Sequence, residues 1–207
     1  MYQLVRMIKV IIFDLDGVLV DATEWHYEAL NEALSVFGFG ITRLEHTQTY
    51  NGLPTSKKLD MLSRDKNFPV GLYKTVQVLK RKYTDEKVSV YCRPSYEKQL
   101  LLKNLVTQGF RLAACSNAQK YSVENMLSQA KLLDFFEEIL GNDEGFSPKP
   151  APDMYLSLFE KLKVLPSETL IVEDSPHGIE AAHVSGAHVL EVRGFEEVNL
   201  SLFEDIL

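Results

Sequence analysis

Val10-Ile11-Ile12-Phe13-Asp14-Leu15-Asp16-Gly17-Val18 is the stretch from which the fold is read. Its first four residues form an apolar run of the kind a fully buried strand requires. The run stops at two aspartates spaced i, i+2, followed by a glycine. Two carboxylates at the end of a buried strand are costly unless something compensates them, most simply a cation. The C-terminal tips of the strands in an open α/β sheet are also where ligands bind. The stretch therefore predicts an acidic, metal-assisted site, and its partners are to be sought further along the chain.

Three other segments resemble the first. Phe110 to Cys115 ends in Ser116-Asn117, Leu170-Ile171-Val172 ends in Glu173-Asp174-Ser175, and Ala187 to Val192 ends in Arg193-Gly194. Helical patterns lie between them, over Ser95–Gln108, Ser122–Leu133 and Asp153–Leu162. Ser175-Pro176 has the look of an N-cap with proline at the first helical position, and Gly186 closes that helix. Alternation of strands and helices predicts an α/β fold, a Rossmann-like parallel sheet core. From Asp21 to Val88 there is no convincing strand, only helical candidates over Thr23–Phe37, Thr55–Arg64 and Val70–Tyr83. That block reads as an inserted α-helical cap domain, residues 21–88. The core is then 1–20 and 89–207, with hinges near Val20-Asp21 and Val88–Cys92.

A chain of 207 residues can bury one substantial core with a small accessory unit. Its 22 basic and 29 acidic residues give a net charge of -7, which argues against nucleic acid and against anionic membranes as partners. No apolar run reaches the length of a membrane span. Arg6 and Lys9 make a poor leader, because Asp14 cuts the apolar stretch that follows. Cys92 and Cys115 provide neither a disulfide framework nor a zinc site, so they read as reduced thiols of a cytoplasmic protein. The sequence leaves the oligomeric state open, and a monomer is compatible with it.

Adjacent parallel strands lie about 4.8 Å apart, so neighbouring tips can share one small site. Asp14, Asp16 and Asp174 supply hard oxygen ligands suited to Mg²⁺ with a substrate phosphate. Ser116 and the amides that open the next helix can bind phosphate oxygens. Lys149, stiffened between Pro148 and Pro150, is the candidate fixed cation. These groups suit phosphoryl transfer through a carboxylate nucleophile. Asp14 is read as that nucleophile and Asp16 as the acid/base, although composition and spacing do not fix the order.

Asp14-Leu15-Asp16-Gly17-Val18-Leu19-Val20-Asp21 resembles the first motif of the haloacid dehalogenase superfamily of phosphohydrolases. Ser116-Asn117 resembles the second motif and Lys149-Pro150-Ala151-Pro152-Asp153 the third. Val172-Glu173-Asp174-Ser175, with Gly178, Ala181 and Ala182, resembles the fourth. The likeness is to the subfamily with a small helical cap after the first motif, which includes phosphoglycolate phosphatases and β-phosphoglucomutases. It implies a nucleophilic Asp14, an acid/base Asp16, and phosphate binding by Ser116, Asn117 and Lys149. It also implies Mg²⁺ held by Asp14, the Asp16 carbonyl and Asp174, with Glu173 either a ligand or the holder of a metal-bound water.

A Mg²⁺-dependent phosphatase acting on a small phosphorylated metabolite is the reading that follows. A sugar-phosphate mutase is the alternative, weakened because Thr55 stands where that group usually places an arginine. Dehalogenation would need neither Asp16 nor Asp174, and a non-catalytic scaffold would have lost one of the four key residues. His26 is a candidate substrate contact, by analogy with a histidine at this spacing in the mutases. Lys57, Lys58 and Arg64 read as a solvated helix face. His177 sits at a helix start near the site, while His46, His183 and His188 give no signal.

Overall fold

The computed structural model describes residues 8–204, so Arg6 lies outside the described residues. The chain divides into two compact units, one of residues 22–92 and one of the remainder.

The larger unit is built on β1 (Val10–Phe13), β2 (Arg111–Cys115), β3 (Glu138–Leu140), β4 (Thr169–Glu173) and β5 (His188–Glu191). All pairings are parallel, in the order β3-β2-β1-β4-β5. The first strand is central, which explains its unbroken apolar run: Val10, Ile11, Ile12 and Phe13 are all fully buried. Each such side chain contributes about 1.5–3 kcal/mol relative to exposure. Phe13 lies in register with Ala114 on one side and Val172 on the other, so the three strands end at one level. One face packs Val10, Ile12, Ala113, Cys115 and Ile171 against Tyr155, Leu158 and Ala181.

The helices of this unit are α4 (Tyr96–Thr107), α5 (Lys120–Gln129), α6 (Asp153–Leu162), α7 (Pro176–Ser185) and α8 (Leu200–Glu204). Ser175 caps α7 by accepting from Gly178 N, and Gly186 ends it with φ +82°, as the sequence pattern predicts. The helix expected over Ser122–Leu133 is shifted to α5, because Lys131 takes a left-handed conformation with φ +59° and breaks the run. β3 carries no sequence signal: it is three residues long, at a sheet edge, and only Leu140 is buried.

The smaller unit is helical. Its long elements are α1 (Thr23–Ser35), α2 (Thr55–Lys66) and α3 (Tyr73–Tyr91). Leu30, Leu34, Tyr50, Leu59, Leu62, Phe68 and Val76 form its core. Two features differ from the sequence reading. α3 continues past Tyr83 to Tyr91 with Thr84 and Val88 on its buried face, so the boundary expected at Val88 falls inside a helix. Between α1 and α2, a turn at Arg43–Glu45 runs into a π-helical turn at His46–Tyr50, closed by Asn51 N donating to the His46 carbonyl at 2.8 Å. Among the described residues no helix is long and apolar enough to cross a membrane.

Candidate active site

The level ends of β1, β2 and β4 deliver Asp14, Ser116 and Glu173-Asp174 to one edge of the sheet. Asp14 extends the ladder by one step, its N–H donating to the Val172 carbonyl at 3.0 Å. Gly17 then turns the chain with φ +87°, and its N–H donates to the Val20 carbonyl at 2.8 Å. Space as well as φ demands glycine here, because a Cβ would stand 2.2 Å from Asp174 Oδ2.

Lys149 joins the strand tips. Its ammonium donates to Asp14 Oδ1 at 2.6 Å, to Glu173 Oε1 at 2.5 Å and to the Cys115 carbonyl at 2.9 Å. The lysine is buried, as are Asp14 and Glu173. Burial would lower its pKa, but Asp14 and Glu173 outweigh that and hold it well above the usual lysine value. Asn117 sets the loop: its Oδ1 accepts from Lys149 N at 2.9 Å and its Nδ2 donates to the Lys149 carbonyl at 3.3 Å. The side chain read as a phosphate ligand is thus engaged with the lysine's backbone. Ser116 Oγ donates to Asp16 Oδ2 at 3.4 Å and accepts from Ala118 N at 3.0 Å. Lys120 N, one of the amides opening α5, donates to Asp143 Oδ1 at 2.8 Å.

Glu173 is saturated. Oε1 also accepts from the Tyr155 hydroxyl at 2.9 Å, and Oε2 accepts from Asp174 N, Ser175 N and Ser175 Oγ. The sequence offered no reason to single out Tyr155, a residue of an amphipathic helix. Its role follows only from the packing of α6 against the sheet, which brings the hydroxyl to Glu173. Gly178 closes the other side, since a Cβ there would fall 1.9 Å from Glu173 Oε1.

Two carboxylates, Asp14 and Glu173, therefore meet the one ammonium, and Asp16 and Asp174 add to the negative charge beside them. Burial, followed by Glu173, pushes Asp14 well above the ordinary carboxylate range. Burial, with Glu173 and Asp16, raises Asp174 to about 7. Asp14, Glu173 and Asp174 each offer an oxygen within 4.8 Å of the others, and Asp174 Oδ1 is buried without a hydrogen-bond partner. Hard oxygen donors, excess negative charge and an orphaned oxygen fit a divalent cation such as Mg²⁺. The Asp16 carboxylate is not part of that cluster; its Oδ2 faces Ser116.

His26 belongs to the helical unit, where its Nδ1 lies 3.1 Å from Lys80 Nζ. Lys57 and Arg64 are exposed as predicted, but Lys58 is buried, which corrects the reading of all three as a solvated face.

The family model for haloacid dehalogenase-like hydrolases matches residues 11–192. A phosphoglycolate phosphatase of Aquifex aeolicus is 30% identical over 192 residues, covering 92% of this chain and 88% of that protein. A phosphorylated carbohydrates phosphatase of Thermotoga maritima is 25% identical, covering 86% and 82%. Among solved structures, a β-phosphoglucomutase of Clostridium difficile shares the fold with a TM-score of 0.83 at 20% identity, covering 96% of each chain. The motif residues lie inside the matched span, and the parallel sheet is the one those structures share. On that match and that coverage, the chain belongs to the haloacid dehalogenase-like hydrolases.

Proposed function

We propose that this hydrolase is a Mg²⁺-dependent phosphatase that cleaves a small phosphorylated metabolite through an aspartyl-phosphate on Asp14. The observation that carries the reading is the buried Lys149 ammonium bridging Asp14 and Glu173 beside the orphaned Asp174 oxygen. The names of its relatives support a phosphate ester as substrate.

In this reading an Asp14 oxygen attacks phosphorus as the ester P–O bond breaks, and Asp16 gives a proton to the leaving oxygen. Asp16 then takes a proton from water as that water displaces Asp14 and releases phosphate. Lys149 and the Ser116 hydroxyl stabilise the phosphoryl oxygens. Asp14, Asp174 and the Asp16 carbonyl would hold Mg²⁺, which would supply the positive charge that favours an ionised Asp14 facing an anionic ester. Glu173, already saturated, positions Lys149 and the turn that carries Asp174.

Phosphate release from a panel of phosphorylated metabolites, with Mg²⁺ and with chelator, tests this. Metal-dependent release that vanishes in Asp14→Asn is the expected result. No release from any ester by folded wild type overturns it, and isomerised sugar phosphate without free phosphate would establish the mutase instead.

A further inference from the structure

Gly141-Asn142-Asp143-Glu144-Gly145 follows β3 and lies outside the four motifs. In the structure it is laced to the turn 116–120, which joins β2 to α5 and carries Ser116 and Asn117. Ser116 N donates to the Leu140 carbonyl at 3.1 Å, and Asn142 N donates to the Ala118 carbonyl at 2.9 Å. Asn142 Nδ2 donates to the Asn117 carbonyl. Asp143 Oδ1 accepts from Lys120 N at 2.8 Å, and Glu144 Oε1 accepts from Lys120 Nζ at 2.9 Å. The approach is close. A Cβ at Gly141 would stand 2.2 Å from Lys120 N and 2.6 Å from its Cα, backbone atoms that cannot swing aside.

α5 begins without a cap of its own, because Gln119 at its N-cap makes no side-chain hydrogen bond. The first amides of a helix need an acceptor from elsewhere. Asp143 supplies one from a different loop, and its carboxylate suits the positive end of the helix. Asn142 holds the Asn117 carbonyl, while the Asn117 side chain holds both the N–H and the carbonyl of Lys149. Lys149 Nζ then meets Asp14 Oδ1 and Glu173 Oε1. A chain of hydrogen bonds thus links the loop after β3 to the two buried acids. A loop that only connected β3 to α6 would have no need of it: Asp143 is exposed and Asn142 half-buried, so water could serve both side chains.

We propose that Asn142 and Asp143 are positioning residues of the active site. They fix the turn 116–120 and, through Asn117, the backbone from which the Lys149 ammonium reaches Asp14. Their part in catalysis rests on the phosphatase reading above. They hold the Ser116 hydroxyl and the Lys149 ammonium where phosphoryl oxygens gain charge, and they act through those groups rather than on substrate.

Two substitutions of nearly equal size separate this from a role in folding alone. Asn142→Asp loses the donor and sets an oxygen against the Asn117 carbonyl, whereas Asp143→Asn keeps an oxygen for Lys120 N. Amide hydrogen exchange in the whole protein reads the positioning directly. In Asn142→Asp and in Asp143→Ala, exchange at the Lys149 amide should accelerate about tenfold more than at Ile11 and Ile12 of β1. Asp143→Asn should keep the wild-type pattern. In steady-state assays of folded protein, the two impaired variants should lose about tenfold in kcat with KM changed by less than about twofold. Asp143→Asn should restore kcat to within about twofold of wild type. Equal acceleration at Lys149 and β1 in both impaired variants overturns the proposal, since the loop then supports the fold alone. An unchanged kcat in both overturns it as well. If wild type released no phosphate from any ester, the function proposed above would fail, and the exchange pattern would still decide the positioning.

Discussion

Lys149 Nζ lies 2.6 Å from Asp14 Oδ1, and neither residue is open to solvent, at 3% and 6% exposure. The same ammonium donates to Glu173, so one cation is shared by two buried acids. Removing one partner of such an arrangement costs more than the pair contributes, because the remaining charge stays buried. Lys149→Met should therefore destabilise the protein by about 3 kcal/mol and lower phosphate release by roughly 10²–10³-fold. Urea unfolding and steady-state kinetics measure the two losses. Full stability with full activity would show that the ammonium is dispensable.

Tyr155 acts through Glu173. Its hydroxyl donates to the oxygen that also receives Lys149, so Tyr155→Phe leaves that oxygen one partner. The expected cost is about 1–2 kcal/mol. Because the hydroxyl has no assigned contact with substrate, kcat should fall severalfold while KM stays constant. A rise in KM alone would show that the tyrosine binds substrate rather than positions the lysine.

The tips of β1 and β4 were legible in the sequence because a buried strand ending in acids contradicts the rule for buried strands, and Ser116 was legible only as the end of a third apolar run. Other parts left no local trace. β3 is too short and too exposed to show a period, and α5 stops where Lys131 turns left-handed. Lys58 and His46 looked ordinary because burial depends on which helices meet, not on spacing within one helix. Lys98 is a parallel case in the larger unit: a fully buried lysine whose ammonium donates to the Phe195 and Val198 carbonyls and lies 3.9 Å above the Phe195 ring. Its partners are about a hundred residues away, beyond the reach of any periodicity.

Two glycines should prove intolerant for reasons of space. Gly178→Ala forces a methyl into the Glu173 carboxylate, and Gly17→Ala adds a left-handed strain to a clash with Asp174. Each should cost about 2–4 kcal/mol and lower activity by at least about tenfold. Gly71→Ala is the control, since a Cβ there meets nothing within 4 Å and no positive φ is involved. Thermal melts of the three variants give the comparison. Equal stability for all three would mean that the turns adapt around an added methyl.

His46 makes stability depend on pH in a defined direction. Its pKa is lowered from 6.5 to about 4, by burial and then by Lys58, His26 and Lys80. The unfolded chain therefore binds more protons than the folded one between those values. Stability attributable to this residue is fully present above pH 6.5 and is lost as pH falls toward about 4. The contribution is about 1–3 kcal/mol after allowance for solvent screening. Urea unfolding of wild type at a series of pH values should show this slope, and His46→Phe should remove it without changing the slope from other groups. A wild-type profile that coincides with that of His46→Phe across the window would mean that His46 titrates normally in the folded protein.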